Sequence, residues 1–231
     1  MDAVYFLKRR TSFIRFYYDE GAKPFRDLQQ KIENGVYPFD DPPDCEDTEP
    51  PFMEEWDDAK TGVAVLGHSC VSLLSDTLKL YFQTLQRMVI GFGFNEETES
   101  IAKKQGFVAA YKAALGHILN TDWTDCPARF DIIEQVVLAR NRGQHGGSLT
   151  SFHVSHECKT LRKHPRPFFV SEGELKAWDD YGGNANSLFA PTIEVTREKL
   201  FSAIQETETL ADWIEGRMDK AWEWRQGAGS K

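Results

Sequence analysis

Residues 62–90 constrain the fold of this chain more than any other stretch. Leu66, Cys70, Leu73, Leu74, Thr77, Leu78, Tyr81, Leu85 and Met88 recur at the three- and four-residue spacing of one helix face, for about seven turns. A stripe of that length predicts a helix that must bury one side against other helices. The pattern returns at 97–120 with Ile101, Val108, Tyr111, Leu115, Ile118 and Leu119. It returns again at 196–224 with Leu200, Ile204, Leu210, Ile214, Met218 and Trp222, and each stretch predicts one helix. Residues 3–19 predict a helix in which Lys8, Arg9, Arg10 and Arg15 lie between apolar positions. Residues 24–34 predict a second, shorter one that stops at Asn34-Gly35. Residues 127–140 predict one more.

The expected fold class is therefore all-α, an up-and-down helical bundle. At 231 residues the expectation is one helical domain over 1–225 and a tail over 226–231. Two stretches interrupt the helices. Prolines and acids from Pro38 to Pro51 predict an acidic loop over about 39–60. Residues 148–195 read as an irregular insertion, with a small hairpin built from Phe152, Val154 and Phe168-Phe169-Val170. In it, Ser171-Glu172-Gly173-Glu174 reads as a capping box that starts one short helix.

The net charge of -9 argues against a nucleic-acid partner until its distribution is considered. Residues 40–58 hold ten acids and no Lys or Arg, and the rest of the chain is close to neutral. The strip reads as a solvated linker; the sharper reading is an RNA mimic that shields a basic site. No apolar run approaches a membrane span. The N-terminus is apolar first and basic second, the wrong order for a secretory signal. Four scattered cysteines without a CxxC fit free thiols in a reducing cytosol, so a cytoplasmic protein is expected. No phosphate-binding glycine loop, GxSxG, HExxH or dinucleotide fingerprint is present, and no cofactor is expected.

Arg140-Asn141-Arg142-Gly143-Gln144-His145 carries the chemistry. It follows the apolar run Ile132–Ala139 and gathers a fixed cation, a carboxamide and an imidazole at a helix end. Arginine keeps its charge, asparagine donates and accepts, and histidine moves a proton near neutral pH. That set suits a phosphodiester. Gly143, Gly146 and Gly147 limit how far the helix runs past His145.

On an all-α bundle this segment resembles the HEPN superfamily, whose signature is Arg, four to six residues, then His. Here it takes the common Arg-Asn-x-x-x-His form, and the resemblance covers about residues 62–147. It implies metal-independent cleavage of RNA. His145 would serve as general base on the 2'-hydroxyl or as general acid on the leaving 5'-oxygen. Arg140 would stabilise the charge on phosphorus, and Asn141 would orient His145 or the phosphate. Arg142 and Gln144 would bind substrate. The resemblance further implies a homodimer with two motifs at one cleft. For a toxin- or defence-related member it implies an antitoxin-like protein partner. Where one branch of the family carries a modified Tyr two residues after the His, this chain has Gly147, so modification there is not expected.

Other readings stay open beside it. Arg140 also suits a helix C-terminus, where a cation favours the dipole, and His145 a structural role. The family also holds non-catalytic interaction modules. His145, His153, His156 and His164 with Cys158 suggest zinc, but their spacing matches no standard site and no metal is expected. Leu161–Pro167 reads as a solvated basic loop whose Arg162 and Lys163 would hold RNA phosphates. Trp178, Trp213 and Trp222 are expected in the core or an interface. Asp122 and Asp125 read as loop and cap residues.

Overall fold

The computed structural model describes residues 2–42, 50–144, 152–180, 182 and 190–228. Among the described residues the regular structure is helical, as the stripes require. In chain order the helices are α1 (Ala3–Glu33), α2 (Met53–Thr84), α3 (Glu96–Gln105), α4 (Phe107–Ile118) and α5 (Phe130–Gln144). Then follow α6 (Cys158–Lys163), α7 (Glu172–Asp180), α8 (Arg197–Glu215) and α9 (Met218–Ala228). A π-helical turn, Leu85–Val89, continues α2.

Several boundaries differ from the sequence reading, each for a local reason. Residues 3–33 form one helix with Pro24 inside it, where two were expected. Pro24 removes one backbone hydrogen bond, but packing holds the helix on both sides of it. Tyr18 and Ala22 are buried before it. After it, Phe25 lies so close to Gly62 that an added Cβ would stand 2.5 Å from the ring. The acidic stretch is helical from Met53 onward, not a loop to residue 60. Glu54 and Glu55 fall in the first turn of α2, where carboxylates favour the helix dipole.

The 97–120 stripe is two helices, because Gly106 at φ 90° ends α3 and opens α4. Asn95 and Thr98 cap α3 reciprocally. The 196–224 stripe is likewise two, α8 and α9, parted at Gly216 and Arg217. α9 runs through Ala228, into the expected tail.

The expected hairpin is not formed among the described residues. Ser155 and Thr192 make an isolated antiparallel bridge. Val154 accepts from Ile193 at 2.7 Å, and Phe169 accepts from Glu194 at 3.0 Å. The two apolar segments thus each pair with 191–194. The helix at 158–163 has no counterpart in the sequence reading, whereas α7 starts where the capping box places it. There the Glu174 amide donates to Ser171 Oγ at 3.2 Å. The Glu174 carboxylate does not return to the Ser171 amide to close the box; it accepts instead from the Thr192 amide and hydroxyl at 2.9 and 2.8 Å.

The chain divides into two compact units. One comprises Met1–Phe13, Leu73–Val137 and Phe201–Lys231; the other comprises Ile14–Ser72 and Leu138–Leu200. The core of the first gathers Leu7, Leu78, Phe82, Leu85, Leu115, Ile133, Leu210 and Ile214. Phe82 stacks on Tyr111 with centroids 4.8 Å apart. Trp213 is buried and stacks near Trp123 at 4.8 Å, whereas Trp222 is exposed. Asp122 closes a turn on Thr124, and Asp125 pairs with Arg217.

The second unit buries Ile14, Tyr18, Leu66, Cys70, Val71, Ala139, Phe169, Trp178, Ile193 and Val195. By length and composition alone, Met53–Val89 is apolar enough to cross a membrane. Its apolar residues Leu66, Cys70, Val71, Leu74 and Leu78 are instead core residues of the two units.

Candidate functional site

The last turn of α5 carries Arg140, Asn141, Arg142, Gly143 and Gln144. Ala139 is buried just before them and anchors the turn in the second unit. His145 lies outside the described residues, as do Gly146 and Gly147.

The two arginines are used differently. Arg140 donates from Nη1 to the side-chain oxygen of its exposed neighbour Asn141 at 3.2 Å. This holds a guanidinium and a carboxamide together on the outer side of the helix end. Arg142 has different partners. Its Nε donates to the Ser155 carbonyl at 3.0 Å, and its Nη1 stands 3.9 Å from the Glu157 carboxylate. Arg142 therefore ties α5 to the 155–157 segment, a role the sequence did not suggest. Gln144 is exposed at the end of the helix.

Glu157 is also the residue before α6. Six helical residues span about 9 Å. Arg162 and Lys163 therefore sit, exposed, at the end of α6 away from the Arg142 contact.

A histidine overlooked in the sequence completes this neighbourhood. His68 on α2 faces Gly143, and a Cβ added at Gly143 would lie 3.2 Å from its Nδ1. Two small residues, Gly67 and Ser69, flank it in the sequence. A Cβ on Gly67 would stand 2.8 Å from the Val195 carbonyl, so α2 passes unusually close to that segment. Such a Gly-His-Ser interruption of an apolar stripe was the available signal. Burial lowers the His68 pKa; a hydrogen bond to the Ile193 carbonyl raises it in part, and nearby His153 lowers it further. The ring is therefore neutral at neutral pH.

The other histidines separate by environment. His156 is buried, and its Nε2 lies 3.0 Å from the Phe169 carbonyl. A carbonyl only accepts, so Nε2 carries the proton, and burial lowers the pKa. Its amide also donates to Pro191, which makes it a structural tie. His153 is exposed and lines a cleft of about 650 Å³. That cleft is walled by Val63, Ala64, Ile193 and Val195, with Arg26 and Lys60 also lining it. Among the described residues no group of His, Cys, Asp and Glu is arranged to hold a metal ion.

The second unit thus presents a guanidinium and a carboxamide at one helix end, with a neutral imidazole beside the same turn. Such a set can bind an oxyanion and move a proton. Compared with known proteins, the chain matches no family model, no curated protein and no solved structure.

Proposed function

We propose that this chain is a HEPN-type, metal-independent endoribonuclease that works as a cytoplasmic homodimer. The observation that carries the reading is the Arg140–Asn141 pair, hydrogen-bonded at the exposed end of α5 one turn from His145 in sequence. Arg140 holds the scissile phosphate and stabilises the charge that builds on phosphorus. Asn141 orients the phosphate or His145. His145 moves the proton, as base toward the 2'-hydroxyl or as acid toward the 5'-oxygen. Attack by the ribose 2'-oxygen needs no metal-bound water and leaves a 2',3'-cyclic phosphate. Gln144, Arg162, Lys163 and the remaining donors of Arg142 serve as substrate contacts. A toxin or defence role would place an antitoxin-like protein over this end of α5.

The exposed aromatic face of α1 supports the dimer. Phe6 and Phe13 are 54% and 56% exposed, with Tyr5 and Leu80 also in water. Monomers rarely leave such a patch uncovered.

The test is cleavage of end-labelled RNA in excess EDTA by the wild-type chain and by Arg140→Ala and His145→Ala. The proposal expects cleavage lost in both variants; equal cleavage by all three rejects it. A second reading, a non-catalytic binding module on the same bundle, is favoured by the net charge of -9. It predicts no cleavage of any RNA.

A further inference from the structure

The cleft that His153 lines lies wholly within the second unit, and its charges are unevenly committed. Three acids line it, and each has a partner in the chain. Glu174 accepts from Thr192. Glu198 accepts from its own amide and from the Thr196 hydroxyl, and Glu194 lies within electrostatic reach of the Lys199 ammonium. Among the cations, Arg197 is held by Asp19 through two hydrogen bonds. Arg26 and Lys60 differ: neither forms an ion pair among the described residues. Each sits near an aromatic ring, Arg26 at 5.6 Å from the Tyr18 centroid and Lys60 at 5.4 Å from that of Trp56. Arg26 also bonds to the Tyr18 hydroxyl, which leaves most of its five N–H groups for another acceptor. The two cations come from different helices. α1 and α2 touch at Phe25 and Gly62, so Arg26 and Lys60 each enter the cleft within one helical turn of that contact.

We propose that this cleft binds a small organic phosphate monoester, independently of the ribonuclease reading. The uncommitted charge in the cleft is positive, so the ligand is an anion. Two unit charges suit a phosphate monoester, which carries about -1.5 to -2 at neutral pH, better than a single carboxylate. The Arg26 fork matches the phosphate oxygens, and Lys60 adds a point charge. Val63 and Ala64 on one side and Val195 on another give apolar surface for the organic body. The volume of about 650 Å³ suits such a molecule, since small-molecule sites span about 300–1,000 Å³.

The experiment titrates phenyl phosphate into the full chain by calorimetry, with benzoate and inorganic phosphate beside it. Phenyl phosphate should bind saturably at one site, and more tightly than either comparison anion. Arg26→Ala and Lys60→Ala should each weaken it about tenfold. Both side chains are exposed, so the variants should keep the wild-type Tm. Arg140→Ala should leave the binding unchanged. A second readout needs no variant: phenyl phosphate should shift the methyl resonances of Val63, Ala64 and Val195 in the wild-type chain. No saturable binding at millimolar phenyl phosphate overturns the proposal, as do methyl resonances that stay unmoved. Binding lost in Arg140→Ala but kept in Arg26→Ala and Lys60→Ala overturns it too, and places the phosphate at the end of α5. Benzoate binding as tightly overturns the choice of a phosphate, and inorganic phosphate binding as tightly overturns the role of the apolar wall.

Discussion

The Nδ1 of His68 would stand 3.2 Å from a Cβ at Gly143, tighter than an ordinary contact. Gly143 is helical, and there alanine should gain up to about 1 kcal/mol of helix propensity. With His68 tethered to Ile193, the contact opposes that gain. Gly143→Ala should therefore be neutral or destabilising in the wild type and stabilising in a His68→Ala background. A double-mutant cycle by denaturant unfolding reads the coupling directly, expected at about 1 kcal/mol. Identical effects in both backgrounds would contradict the packing described.

Arg197 grips Asp19 with two hydrogen bonds, Nε to Oδ1 at 2.7 Å and Nη2 to Oδ2 at 2.9 Å. Those bonds hold the Asp19 carboxyl below its ordinary value. A carboxyl whose folded pKa lies below its unfolded one stabilises above the unfolded value and loses that contribution as pH falls through the folded one. Asp19→Asn should lower Tm at neutral pH. The two Tm curves should then converge as pH drops below the carboxylate range. A Tm deficit that persists undiminished in acid would show another cause.

Phe82 is 2% exposed, stacks on Tyr111 and contacts Phe107 edge-on at 6.4 Å. Its removal leaves a cavity in the core of the first unit. Phe82→Ala should cost about 3–5 kcal/mol in chemical denaturation. A loss under about 1 kcal/mol would mean that the site collapses or that this core contributes little.

If a second copy covers the aromatic face of α1, a charge placed there should break the dimer. Phe6→Glu should sediment as a monomer with its helical CD spectrum intact, because Phe6 stands in water in the single chain. A wild-type monomer at all accessible concentrations would remove the dimer from the account.

The long stripes made the helices legible, and their ends were not. The stripe predicted over 62–90 is buried from Leu66 to Leu85 except for half-buried Leu73, but its last member, Met88, is exposed in the π-helical turn. Gly106 and Gly216 were read through because the apolar period resumes on both sides of them. The break expected between residues 19 and 24, with Pro24 opening a second helix, is absent because local propensity carries no knowledge of the Phe25–Gly62 contact across two helices. The acids at 54–58 looked like loop, although the same charges suit a first helical turn. At the site, Arg140, Asn141 and Arg142 are visible as a motif, but the tie of Arg142 depends on Ser155, thirteen residues on. His68 left only the Gly67-His68-Ser69 interruption of the apolar stripe as a sign, because it reaches the motif through the fold and not through the sequence.

The most direct test of the account is the chemistry of the RNA ends made by the wild-type chain in excess EDTA. Attack from the 2'-oxygen predicts 2',3'-cyclic phosphates and 5'-hydroxyls, formed by wild type and absent with Arg140→Ala. Products ending in 3'-hydroxyls, or no products from any RNA, would contradict it.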